Sequence, residues 1–227
     1  MMIVRTLPYS DFLPLLKRKW KVGQHIGVIG PTGSGKSWLI ADVLSLRKHV
    51  VVVATKSRDA TLDKRYEDFK PKKTWPPDYG ETKTLFWKKP KRLGDFGEQQ
   101  SAIYELMSDV FKRGGYTIAF DDLYYVSETL KLKRPLQMLY TQIRSQNASI
   151  VANMQRPAWI PLEALSQATF LLVFRLHDKA DIDRVADGMG VARTELKQAI
   201  NQLQKYEFLF LEIGEQPLKI EKQKDTQ

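Results

Sequence analysis

Eight consecutive residues, Gly30-Pro31-Thr32-Gly33-Ser34-Gly35-Lys36-Ser37, fit the spacing G-x-x-x-x-G-K-[ST] without a gap. Glycines at three of these places let the backbone curl so that successive N–H groups point inward, and such a curl binds phosphate oxygens. The helix that follows adds a partial positive charge at its N-terminus. Lys36, read as an exposed loop lysine, is expected to reach the β- and γ-phosphates of a nucleotide. The Ser37 hydroxyl is expected to ligate Mg²⁺. ATP and Mg²⁺ are the cofactors this chemistry implies.

Further along, Tyr116-Thr117-Ile118-Ala119-Phe120 is an apolar run ending in Asp121 and Asp122. A carboxylate at the end of such a strand holds Mg²⁺ through water in phosphate-loop proteins, and Asp121 is assigned that role. Asp122 is placed to orient and deprotonate the attacking water, with Glu128 as the alternative base. A later run, 150–153, leads into Met154-Gln155-Arg156-Pro157. Inserted between the two strands above, it would deliver Gln155 beside the γ-phosphate. Arg144 precedes Gln155 by eleven residues, so it belongs to the other end of that strand. There it is remote from its own nucleotide and could face a neighbouring subunit's ATP.

These residues need a scaffold of strands and helices. Residues 25–29 read as a buried strand, 37–46 as a helix, and 50–54, all Val and Ala, as a strand covered on both faces. Strand, loop, helix, strand opens an α/β domain. A helical pattern follows over 95–113, a third strand over 116–120, and a helix over 130–146. Short strands at 150–153 and 170–174 come next. Two helices over 178–203 break at Gly188-Met189-Gly190, and a hairpin spans 206–213 and 218–220 around Gly214. The expectation is one domain over 1–220, with an N-terminal helical segment at 1–22, a basic insertion at 55–92 and a disordered tail at 221–227.

The chain has 227 residues, a formal net charge of +10 and no cysteine. The last point excludes disulfides, thiolate metal sites and a cysteine nucleophile. His25, His49 and His177 lie too far apart in sequence for a histidine-rich metal motif. The surplus charge calls for a polyanionic partner. Residues 64–92 carry ten Lys or Arg against four Asp or Glu, interleaved with Tyr66, Phe69, Trp75, Tyr79, Phe86 and Trp87. Two readings of this segment stand: charges and stacking rings for nucleic acid, or a solvated loop anchored to the core by its aromatics. The cluster of Arg5, Lys17, Arg18, Lys19 and Lys21 reads as a solvated helix face. No apolar run reaches the ~18 residues of a membrane helix, and the first residues lack a signal-peptide layout. A cytoplasmic chain with no transmembrane segment is expected.

Taken together, the phosphate loop, the strand 116–122 and the block 144–157 resemble the FtsK/HerA family of ring-forming DNA translocases. The resemblance is closest to its small viral branch, the genome-packaging ATPases, and covers residues 23–176. It implies a P-loop α/β fold, RecA-like, with a mainly parallel sheet ordered 5-1-4-3-2, helices on both faces and a C-terminal β-hairpin extension. By the same resemblance Lys36 and Ser37 bind nucleotide and Mg²⁺, Asp121 is the acidic Mg²⁺ residue, Gln155 is the sensor, and Arg144 is a finger supplied in trans. One departure is Asp122, where the family carries Glu. The activity implied is ATP hydrolysis driving double-stranded DNA into a viral capsid, by a homo-oligomeric ring of five or six subunits. A capsid portal or vertex protein would be a further partner, and the host cytoplasm or the virion the location. Alternatives are a cellular or conjugative translocase of the same family and a small-molecule kinase with a phosphate loop.

Overall fold

A computed structural model describes residues 4–56, 64–75, 82–90 and 92–221. The chain runs β1 (Arg5–Pro8), α1 (Tyr9–Lys19), β2 (His25–Ile29), α2 (Lys36–Ser45), β3 (Val50–Val53), β4 (Lys70–Lys72), β5 (Lys83–Phe86) and α3 (Gly97–Arg113). It continues with β6 (Thr117–Phe120), a π turn (Tyr125–Thr129), α4 (Lys133–Gln142), a 3₁₀ turn (Ile143–Gln146), β7 (Ser149–Met154), α5 (Glu163–Ser166) and β8 (Ala168–Phe174). The last elements are α6 (Lys179–Met189), α7 (Arg193–Asn201), β9 (Phe208–Glu212) and β10 (Leu218–Glu221).

The ten strands of the described residues join one sheet, in the order β1-β10-β9-β8-β2-β7-β6-β3-β5-β4. Its centre, β8-β2-β7-β6-β3, is parallel throughout and has the expected 5-1-4-3-2 order. Alternation splits the core into two layers. Val51, Val53, Ile118, Phe120 and Ile150 face one cluster with α3, α4, α6 and α7. Val50, Val52, Ala119, Val151 and Phe170 face the other with α1 and α2. Covering both faces is what an unbroken run of valines requires.

The sheet extends past its expected centre on both edges. The N-terminal segment is not only helical: β1 precedes α1 and pairs in parallel with β10. Phe12 of α1 fixes the segment, with its ring 5.1 Å from Phe208 and 5.7 Å from Phe210, both edge-on. On the opposite edge the basic insertion adds β5 and the short, polar β4. Its described aromatics point inward. Tyr66, Phe69 and Phe86 are buried, the Trp75 indole donates to Asp109, and the Trp87 indole donates to the Lys56 carbonyl. Of the two readings of this segment, anchoring to the core is the one these described rings follow. Glu221, expected to open the disordered tail, instead closes β10 and pairs with Pro8; Tyr79 and residues 222–227 lie outside the described residues.

At the amino ends of the strands, His25 is fully buried. Its Nδ1 accepts the Ile150 N–H at 3.1 Å. Burial, and then the Arg144 charge, hold its pKa near 4, against a hydrogen bond to the Tyr140 backbone that raises it. The unfolded chain takes a proton at about 6.5, so His25 favours the native state fully above that pH. This contribution is lost as pH falls from about 6.5 towards 4. Asp121, described below, titrates with the opposite sign in an overlapping window. A double difference isolates the histidine. The destabilisation caused by His25→Gln at pH 7.5 is expected to shrink by about 2–3 kcal/mol at pH 4.5, read by urea unfolding. A constant difference would show that His25 does not titrate this way.

Candidate active site

The loop between β2 and α2 lies at the carboxyl ends of the parallel strands, where open α/β sheets place their ligands. Gly33 and Gly35 take φ of 79° and 101°, a region that glycine enters without strain. Gly30 is needed for space: a Cβ there would come within 2.8 Å of the Phe174 side chain. Lys36 is buried rather than exposed as expected, at 5% of its surface, and its Nζ donates to the Pro31 carbonyl at 2.7 Å. Desolvation first, then the charge of Lys56, lowers its pKa to about 8, with Asp122 opposing.

A cavity of about 300 Å³ opens over this loop and is lined by Lys36, Ser37, Lys56, Asn153 and Gln155 among others. Gln155 reaches the loop directly: its Oε1 accepts from the Thr32 hydroxyl at 3.3 Å. Asp121, at the end of β6, is fixed by Thr55, whose N–H and hydroxyl donate to its carboxylate at 3.0 and 2.8 Å. Asp121 keeps part of its residue surface, yet enclosure at the strand ends raises its pKa to about 6, against the Thr55 bonds and Lys56. The Asp122 Oδ1 accepts the Tyr125 N–H at 3.0 Å and so caps the turn that follows. Glu128 is engaged elsewhere, by the Ser127 hydroxyl at 2.9 Å and by Lys133.

Thr55, Lys56 and Asn153 were missed by the sequence reading. Asn153 donates to the Asp121 carbonyl at 2.8 Å, while its Oδ1 is buried without a protein partner. Each residue follows or ends an apolar parallel strand, and that position is the signal by which it could have been found. Arg144 stands apart from all of these. Its guanidinium donates to the Gly23 carbonyl at 3.2 Å and to the Thr169 hydroxyl at 3.1 Å, at the amino ends of β2 and β8.

The donor set fits a Mg²⁺–nucleotide. Mg²⁺ bound with phosphates asks for one or two protein oxygens. The Ser37 hydroxyl, the Asp121 carboxylate and the orphaned Asn153 Oδ1 are all oxygens. Among the described residues no cluster of three or more His, Cys, Asp or Glu could form a metal cage without phosphate.

No family model matches the chain. Among curated proteins, the DNA packaging ATPase P9 of Enterobacteria phage PRD1 is 26% identical over 204 residues, which span 84% of this chain and 83% of that protein. Among solved structures, the genome packaging NTPase B204 of Sulfolobus turreted icosahedral virus 2, in complex with sulfate, superposes with a TM-score of 0.68 at 16% identity. It covers 89% of this chain and 98% of B204. VirB4 of Thermoanaerobacter pseudethanolicus gives a TM-score of 0.67 at 9% identity, covering 89% of this chain and 90% of that one. In sequence the chain is similar to a phage packaging ATPase, and in fold to viral packaging NTPases, as its motif blocks implied.

Proposed function

We propose that this protein is an ATP-driven motor that moves double-stranded DNA, packaging a viral genome into a capsid. The observation that carries the reading is the convergence of a complete phosphate loop, Asp121 and Gln155 at one set of strand ends. The similarity to the phage PRD1 packaging ATPase supplies the cargo. Lys36 and the loop N–H groups hold the β- and γ-phosphates. Ser37 and Asp121 would hold Mg²⁺, which supplies charge neutralisation when bound. Asp122, steadied through Oδ1 by the turn it caps, orients the attacking water through its other oxygen. Gln155 would contact the γ-phosphate as the sensor, and its bond from the Thr32 hydroxyl ties it to the loop.

The motor is proposed to be a homo-oligomeric ring, five or six subunits of one domain spanning 1–220. Arg144 of each would complete its neighbour's site. A capsid portal or vertex protein is the proposed docking partner, and the host cytoplasm or the assembling virion the place. Among the described residues no helix is long and apolar enough to cross a membrane.

Asp122→Asn is expected to slow single-turnover hydrolysis while nucleotide affinity stays within about twofold, because water orientation acts in the transition state. A normal rate would move the base role elsewhere.

The reading as a whole is tested by ATPase assays with and without duplex DNA. Turnover should rise with DNA and not with nucleosides or metabolites, which separates a translocase from a small-molecule kinase. DNA affinity should fall steeply with salt, each neutralised phosphate adding about −0.9 to the slope of log K against log salt. The contacts assigned to the insertion are charges such as Lys70, Lys73, Lys89 and Arg92. Replacing these four with Gln should flatten the slope. An unchanged slope would leave the insertion without a DNA role.

A further inference from the structure

Gln99, in the first turn of α3, is 1% exposed, and both halves of its amide are committed. Its Nε2 donates to the Lys88 carbonyl at 2.7 Å, and its Oε1 accepts from the Tyr125 hydroxyl at 2.8 Å. Lys88 follows β5 in the basic insertion. Tyr125 opens the π turn, and its own N–H is the donor that holds Asp122 Oδ1. One buried side chain thus stands between the insertion and the carboxylate proposed to orient water. Burying an amide is costly unless its polar atoms are paired, and here each is paired to a different segment.

The turn that Gln99 grips is not a relaxed one. It closes with the Leu130 N–H on the Tyr125 carbonyl at 2.9 Å, one residue wider than an α turn, and the next residue, Lys131, has φ of 56°. Wide turns of this kind recur at functional sites. A non-glycine residue in the left-handed region persists where its surroundings hold it. Here α3 holds both ends: Gln99 takes Tyr125, and Gln100 Nε2 donates to the Leu130 carbonyl at 2.8 Å. Phe96 seats the Tyr125 ring edge-on, with centroids 6.0 Å apart. Burial first, then the charges of Asp122 and Asp121, push the Tyr125 hydroxyl upward in pKa, so it stays a donor.

The residues on either side of Lys88 complete the link. The Trp87 indole donates to the Lys56 carbonyl at 2.6 Å, directly after Thr55, which fixes Asp121. Lys89 is exposed and lies over the Trp87 ring, 4.5 Å from its centroid. Contiguous hydrogen bonds therefore run from beside an exposed cation to the supports of both carboxylates, the kind of physical network that carries coupling between sites. We propose that Gln99 is a positioning residue that makes hydrolysis respond to DNA: duplex held at Lys89 fixes the chain at Lys88, Gln99 passes that constraint to Tyr125, and the π turn sets Asp122. The proposal rests on the DNA-motor reading above.

Turnover of the full chain with and without duplex DNA, measured together with DNA affinity, tests this. Gln99→Met keeps the volume and removes both hydrogen bonds. It should lower the DNA-stimulated rate by about fivefold or more, while basal turnover and DNA affinity stay within about twofold of the parent. Tyr125→Phe removes a single hydroxyl, keeps the ring beside Phe96, and decides the matter where Gln99→Met does not fold. It should lower the ratio of stimulated to basal turnover to the same extent, and the double variant no further, since both cut one link. Basal and stimulated rates falling in equal proportion would show a purely structural tie and overturn the relay. So would an unchanged ratio in Tyr125→Phe, or a loss explained by weaker DNA binding. A parent protein whose turnover ignores DNA would instead overturn the motor reading, and the relay with it.

Discussion

Lys36→Ala is expected to abolish DNA-stimulated ATP hydrolysis while leaving the melting temperature within a few degrees of the parent. The rate argument is electrostatic. Nζ is the one loop side-chain cation that the phosphate-binding motif aims at the β- and γ-phosphates. Removing a single preorganised donor from such a site costs about 10²–10³ in rate, and a full charge costs more. The stability argument comes from burial. Lys36 is desolvated, its pKa is drawn down to about 8, and its protein partner is one carbonyl, Pro31. A charged ammonium held under those conditions disfavours the native state, so its loss does not unfold the chain. Lys36→Met keeps most of the stem volume and separates packing from charge. It should melt like the parent and be as inactive as the alanine variant. Retained turnover in either variant, with native-like melting, would remove the loop from the chemistry.

Arg144→Ala should bind ATP normally and lose hydrolysis, because the residue is proposed to act on the neighbour's nucleotide. Arg144 sits at the amino end of β7, bonded to Gly23 and Thr169, whereas Gln155 follows that strand's carboxyl end beside Thr32. One strand therefore separates the two residues within a subunit, and only a second subunit can bring such an arginine to a phosphate loop. Arginine fingers supplied in trans contribute about 10³–10⁵ in rate in GTPases. Mixing Arg144→Ala with Lys36→Ala should recover activity under ring-forming conditions. Some interfaces then combine an intact lysine with an intact arginine. Steady-state turnover against mixing ratio is the readout. A purely local role, stapling Gly23 to Thr169, predicts near-normal turnover for the single variant, and that result would remove the trans mechanism.

The central strands were legible because each is an apolar run that only a sheet covered on both faces can bury. Their order came from the family resemblance rather than from any period in the sequence. The edges were illegible for a physical reason. β4 is Lys70-Pro71-Lys72 and β1 is largely exposed, so both join the sheet through backbone hydrogen bonds and leave no burial pattern to read. Composition likewise could not say which way the insertion's aromatics point. Tyr66 and Phe86 turned out to be core, which leaves charge as the segment's proposed means of binding DNA. At the site, the loop, Asp121 and Gln155 announced themselves through motif and strand position. Thr55 and Asn153 act through hydrogen bonds to Asp121, a pairing that crosses strands distant in sequence.

The claim that ATP hydrolysis here moves duplex DNA is tested most directly by displacement of a third strand. A duplex carrying a triplex-forming oligonucleotide is incubated with the protein, Mg²⁺ and ATP, and release of the labelled third strand is followed in time. Release should require ATP, fail with a non-hydrolysable analogue and fail with Lys36→Ala. Steady ATP turnover on bound duplex, with the third strand remaining in place, would contradict the account.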